Sequence, residues 1–253
     1  MSTTRRQLQR LLTPVLVVTA LASLPTAALA QSEERVEAET EAARPSREDA
    51  IRQAKERAQQ AIDRRLDTLD RLGDRVSNNA HITADHARSL VADFGAAQRG
   101  LAALGDEIDA ADTLAGIFRL STKIATDYRV YLVIAPKTHE VIVSDTIVDV
   151  ADRFAEVANT LGEAIERADD GGYDVTEARR WLAVAEDEIG EAKRAGGPVA
   201  GDVIGLTASD WPDPAQSALR SGSSRLKNAR LDLHEARAAL HKSHEALREA
   251  LGV

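Results

Sequence analysis

Six histidines and no cysteine set the limits on what chemistry this chain can do. Without thiols there are no disulfides, no cysteine nucleophile, no Cys-ligated metal and no lipid-modified N-terminal Cys. Three histidines, His234, His241 and His244, cluster near the C-terminus beside Glu235, Glu245 and Glu249. His241 and His244 are three apart, the helical spacing at which two imidazoles can share a metal such as zinc. The arrangement is not the His-Glu-x-x-His of metallohydrolases. His81 and His86 flank a turn, where a capping or surface role is expected. Asp169, Asp170 and Asp174 surround two glycines, but the twelve-residue calcium loop and its closing Glu are absent. No Gly-x-Ser-x-Gly and no phosphate-cradling Gly loop occurs, and carboxylates are too widespread to single out an acid–base pair. Ser221-Gly222-Ser223-Ser224 is expected to loosen the start of a helix rather than supply a nucleophile. No catalytic residue, metal or cofactor is therefore assigned.

The densest combination of aromatic, cationic and apolar residues is DYRVYLVIAPKTHEVIVSD, residues 127–145. Tyr128, Arg129, Tyr131 and Lys137 there, with Trp211 beside Pro212, are the candidates for contact with a partner. Trp181 and Trp211 are the only tryptophans, and each is also a candidate core residue.

These residues sit on a chain whose period is helical. Ile51, Ala54, Ala58, Ile62, Leu66, Leu69 and Val76 share one face of a helix from Asp49 that stops at Ser77-Asn78-Asn79. Thr83 is the N-cap expected for a second helix carrying Ala87, Leu90, Val91, Phe94, Leu101, Leu104 and Ile108. The short link implies an antiparallel hairpin. A third helix runs from about Asp112 through Leu114, Phe118, Ile124 and Tyr128. A fourth carries Ile147, Val150, Phe154, Val157 and Leu161 and stops at 169–172. Thr176 is the expected cap of a fifth, with Trp181, Leu182, Ala185 and Ile189 inward, broken by Gly196-Gly197-Pro198. Residues 201–213 form a connector, and a last helix runs from Pro214 to Leu251. Leu72-Gly73-Asp74 and Leu161-Gly162-Glu163 each precede a turn, a Thr and an Ala-rich helix, a faint repeat that independent packing solutions also explain.

For residues 128–143 two readings stand. Helical spacing enters and leaves the stretch without a turn signal, so one helix ends near Ile134 and the next starts at Pro136. Alternatively, residues 130–134 and 141–143 pair as a β-hairpin across Pro136-Lys137-Thr138.

The last helix carries Leu219, Leu226, Leu233, Leu240 and Leu247 at an unbroken spacing of seven. The second seam position is filled by Gly222, Ala229, Ala236, Ser243 and Ala250, too small for a parallel zipper. Leucine alternating with small residues suits close packing within a bundle, and a homodimer seam is the alternative. His234 and His241 fall at heptad position b and His244 at e. They lie toward water with nothing to orient their rings, so solvated histidines is the reading.

The first thirty residues read as a cleaved export signal. Arg5, Arg6 and Arg10 precede an apolar run at 11–24, and Ala28-Leu29-Ala30 is a small-x-small cleavage pattern. Thr4-Arg5-Arg6-Gln7-Leu8 resembles a twin-arginine signal, and an ordinary signal also accommodates paired arginines. Losing those three arginines takes the formal charge from −9 to −12, so nucleic acid and anionic membrane surfaces are poor partners. Residues 31–48, rich in glutamate, read as a disordered spacer. Residues 49–253 then form an all-α antiparallel bundle of coiled-coil-like hairpins with five to six long helices, divisible at 49–135 and 136–253.

Thr126-Asp127-Tyr128-Arg129-Val130-Tyr131-Leu132-Val133-Ile134-Ala135-Pro136 resembles a signature of a family of secreted, Ala-rich helical proteins from high-GC bacteria. The connector Leu206-Thr207-Ala208-Ser209-Asp210-Trp211-Pro212 and the Ala/Leu/Arg last helix are similar too. The resemblance implies export and helices, and brings no catalytic residues. The expected function is an exported, non-enzymatic interaction module of the cell envelope or beyond it, its partner a protein or wall polymer. The alternatives are a metal-binding or chaperone-like envelope protein, and a cell-wall enzyme.

Overall fold

The computed structural model describes residues 46–253, and the expected signal and almost all of the expected spacer lie outside the described residues. Residues Arg47–Val253 form one compact unit, and the described residues contain helices and no strand. The elements are α1 (Arg47–Ser77), α2 (Ala84–Ala110), α3 (Leu114–Thr126), a π-helical turn (Val130–Ile134), α4 (Ala135–Asp170), α5 (Thr176–Gly196), α6 (Val199–Ile204), a 3-10 turn (Ala208–Asp210) and α7 (Ala215–Leu251).

α1 and α2 form the expected antiparallel hairpin. Gln59 donates to the Gly105 carbonyl at 3.2 Å, and Gln98 to Asp70 at 2.6 Å. Thr83 caps α2, its hydroxyl accepting from the His86 N–H at 3.3 Å. Thr83→Ala should cost about 1 kcal/mol, read as a lowered denaturant midpoint with an unchanged m-value. Inward leucines Leu69, Leu90 and Leu101 are fully buried in a first core to which α3, the π turn, the start of α4, α6 and the start of α7 also contribute.

The second core lies between α4, α5 and α7. α4 and α5 are antiparallel, as Lys193–Asp152 and Arg179–Asp169 ion pairs show. α7 runs antiparallel to α5, with the Ser243 hydroxyl on the Ala178 carbonyl at 2.7 Å. It therefore runs parallel to α4. The leucine seam is buried inside the chain, and the small residues beside it let α5 approach closely. A Cβ at Gly196 would lie 3.1 Å from that of Ala229 and 2.8 Å from Ile147 Cγ2, so only glycine fits there.

Several expectations need correction. Residues 130–143 are helical rather than a β-hairpin, but the bend is not at Pro136. α3 ends at Thr126, and Arg129 takes a left-handed conformation with φ 41° that turns the chain. A π turn then winds directly into α4. The Ala135 N–H reaches the Val130 carbonyl, an i to i−5 bond. This wider turn accommodates Pro136, which has no N–H to give and whose ring clashes with an ordinary preceding turn. α1 begins at Arg47 and takes in the last two residues of the expected spacer, with Glu48 and Asp49 complementing its N-terminal dipole. Thr176 lies inside α5, whose N-cap is Val175. Asp174 takes the capping role instead, accepting the Thr176 N–H at 3.1 Å. Phe118 (62% exposed), Val91 and Val157 face outward, and Trp181 is only half-buried. The cores divide within α4 between Ile142 and Val143, not at 135/136, so α4 is a shared spine rather than a domain boundary.

Candidate functional site

The polar chemistry of this protein is concentrated on one helix and turned inward. Lys137, Thr138, Glu140, Ser144 and Asp145 are all buried on the first three turns of α4. A buried polar group is costly unless it is bonded, so its partners show what the cluster holds.

Lys137, only 2% exposed, directs its ammonium to three acceptors: Asp93 Oδ2 of α2 at 2.6 Å, the Leu206 carbonyl at 2.7 Å and the Ile204 carbonyl at 3.2 Å. It therefore ties α2 and α4 to the end of α6. The Ser144 hydroxyl donates toward the carbonyls of Gly196 (2.8 Å) and Gly197 (3.1 Å) and accepts the Ala200 N–H at 3.2 Å. Asp145 accepts the Thr83 N–H at 2.8 Å and His86 Nδ1 at 2.9 Å, docking the α1–α2 turn. One turn further, Asp149 meets His81 Nδ1 at 2.8 Å. Both turn histidines are thus clasped to α4, a role their position near a cap does not disclose. Thr138 bonds back to the Ile134 carbonyl at 2.7 Å, serving the π turn.

Glu140 differs from its neighbours. It is 2% exposed, and Oε1 accepts the Ser223 hydroxyl of α7 at 2.7 Å. Oε2 is buried without a hydrogen-bond partner. It abuts Gly222, where an added Cβ would collide with it and would lie 3.0 Å from Val199 Cγ1 of α6. Desolvation pushes the Glu140 carboxyl above its ordinary value, and the Ser223 hydrogen bond opposes this. Ser221–Ser224 accordingly does not loosen α7. It is regular helix, and two of its residues form the Glu140 seat.

The partner-contact candidates are divided between core and surface. Lys137, expected on the rim of a groove, is enclosed in the network above. Tyr128 packs on the first core against Gly100, where an added Cβ would lie 2.5 Å from its ring. Burial raises its phenol above the ordinary value, with Asp127 and Glu107 adding to the effect. The Arg129 guanidinium turns back to the Thr126 carbonyl at 2.8 Å. Tyr131 is exposed, its hydroxyl donating to the Arg64 carbonyl at 3.1 Å while Arg65 lies over its ring. Trp211 packs half-buried on the first core. Trp181 lies between Arg180 and Lys242, 4.4 and 4.0 Å from its ring centre. His234, His241 and His244 are exposed, and His241 pairs with Glu245 at 3.3 Å. Among the described residues no group of three or more His, Asp or Glu is arranged to hold a metal. Ser224 and Lys227, a Ser-x-x-Lys spacing, are both exposed on α7.

One surface feature was not foreseen. An apolar groove of about 630 Å3 runs between α4 and α7, floored by Val157, Leu161, Ala164, Leu240, Leu247 and Leu251, with Glu156 on one rim and His244 and Arg248 on the other. Val157, which the helical period places inward, is 52% exposed there. Among the described residues no helix is long and apolar enough to cross a membrane. No protein-family model, curated protein or solved structure matches the chain, so function is inferred from these side chains alone.

Proposed function

We propose that the mature chain is an exported, non-enzymatic interaction module that receives an amphipathic helix of a partner protein in the groove between α4 and α7. The observation that carries this is the groove itself. α4 and α7 run parallel with Val157 and Leu251 exposed between them, and α5 packs on the same two helices in the second core. α5 is an amphipathic helix that buries Ala178, Leu182, Ala185, Ile189 and Ala192. A partner helix of the same type would complete a four-helix layer, the common helix-in-groove mode of recognition. The oppositely charged rims, Glu156 against Arg248, favour a helix with one basic and one acidic flank. The buried Lys137, Ser144 and Asp145 of α4 are consumed in holding helices together, which suits a platform better than a reaction centre.

The test uses the mature chain with a photo-crosslinking residue at Val157, and in parallel Val157→Asp. The expected result is a discrete partner protein crosslinked at 157, recovered at least about tenfold less by Val157→Asp, whose charge would have to be buried on docking. Tyr131→Ala, away from the groove, should recover it unchanged. Equal recovery by Val157→Asp and wild type, with helicity intact, would overturn the proposal. Export is checked separately by fusing residues 1–30 to a reporter active only outside the cytoplasm.

A further inference from the structure

The carboxyl of Glu140 has no cation, sits at a three-helix junction and keeps one oxygen without a partner. We propose that Glu140 is a proton-controlled latch: its neutral carboxyl closes the junction of α4, α6 and α7, and its ionisation releases α6 and the connector after it from α4.

The groups around it define the latch. From α7, Ser223 donates to the carboxyl and Gly222 abuts it, and the apolar Val199 of α6 lies against the same glycine. On α4 itself, the Lys137 charge is directed to Asp93 and two carbonyls, and Asp145 to Thr83 and His86. His139 is outward, against Arg75 at 3.3 Å, and burial together with the Arg75 and Arg230 charges holds it below the ordinary histidine value. On α7, Arg220 and Lys227 are exposed, and Arg225 is committed to Asp202 at 2.6 Å and the Ala195 carbonyl at 3.1 Å. The influences on the Glu140 carboxyl are desolvation, the larger, and the Ser223 hydroxyl. A neutral carboxyl fits this seat, whereas a carboxylate there lacks compensation at Oε2 and draws water in. The weakest side of the seat is α6, a helix of only six residues held to α4 by Ser144 at one end and Lys137 at the other.

The direction with pH follows from linkage. The closed junction raises the carboxyl above its ordinary 4.5. The closed state is therefore fully favoured below that value and loses stability as pH rises from there to the raised value, beyond which the loss is complete. In that window the opening equilibrium grows by up to about tenfold per pH unit.

The absence of cysteine supplies a clean probe. Val203 of α6 is fully buried in the first core, and Val203→Cys places one thiol on the buried face of the helix that the latch would release. Its labelling by a thiol reagent is measured against pH in the mature chain, alone and combined with Glu140→Gln, so that the thiol's own ionisation cancels in the ratio. The expected ratio is near one at about pH 4.5 and rises with pH toward a plateau. Ser223→Ala, which removes a bond favouring the carboxylate, should move the plateau to higher pH. Helicity should not change across the window. A ratio flat with pH overturns the latch, as does global loss of helicity in step with labelling. Should Glu140→Gln fail to fold, an unmoved plateau in Ser223→Ala overturns it as well.

Discussion

Gly222→Ala is expected to lower the melting temperature by a few degrees, up to about 8 °C, although it replaces a glycine inside a long helix. On backbone grounds alone the change should help, because alanine is better than glycine in a helix interior by about 1 kcal/mol. Packing opposes this. The new methyl would meet Glu140 Oε2 and press on Val199. Both neighbours are fixed, the first on a buried carboxyl held by Ser223 and the second in a helix tied down at each end. Overpacking of this kind costs about 1–3 kcal/mol, against a propensity gain of about 1 kcal/mol. The decisive control is the same substitution in a Glu140→Ala background. There the collision with Glu140 is gone and only the contact with Val199 remains, so the destabilisation should largely disappear, offset by the propensity gain of about 1 kcal/mol. The coupling read from that cycle measures the contact itself. Thermal unfolding followed by circular dichroism at one fixed pH suffices. Equal destabilisation in both backgrounds would mean that Glu140 is not what Gly222 makes room for.

The same pair shows where sequence reasoning succeeds and where it stops. The α7 seam could be read because a seven-residue leucine repeat with small residues three positions on is a statement about helix packing, and burial of Leu219 through Leu247 follows it. Thr83 could be read because capping is local. The bend before α4 could not. Helical spacing passes through Tyr128 and Leu132 uninterrupted, and the residue that turns the chain is Arg129, with none of the glycine or asparagine that advertises a left-handed position. Pro136 drew the boundary to itself, while a π turn absorbed it. Lys137 looked like a surface cation because lysine usually is one. What marked it as buried was its company: Lys137, Glu140 and Ser144 recur at three- and four-residue steps on the stripe that also carries apolar residues. Their partners Asp93, Ser223 and the 204–206 carbonyls lie 44 to 83 residues away in the chain. No local signal carries such pairings. The groove was missed for the converse reason, since the period of Val157 is that of a core residue, and only the absence of a neighbouring helix on that side exposes it.

Asp93→Ala should be among the most damaging single changes on the polar spine, and more damaging than Lys137→Met. The ammonium of Lys137 is enclosed, whereas the Asp93 side chain is 41% exposed. Removing Asp93 strands a buried cation on two carbonyl dipoles, and breaking a buried ion pair in this way costs about 3–5 kcal/mol. Removing the lysine charge instead leaves a carboxylate that water can reach, so only the two carbonyls of Ile204 and Leu206 lose a donor, at about 1–3 kcal/mol. The asymmetry is the test, because a surface ion pair would lose less than about 1 kcal/mol from either side. The double variant should be more stable than Asp93→Ala alone, since it has no cation left to strand. Urea midpoints at constant m-value for the four proteins give the ordering directly. If Lys137→Met is the worse of the two, the ammonium is stabilised chiefly by the carbonyls. Lys137 would then act as the clasp on the end of α6, with Asp93 as an accessory that water could replace.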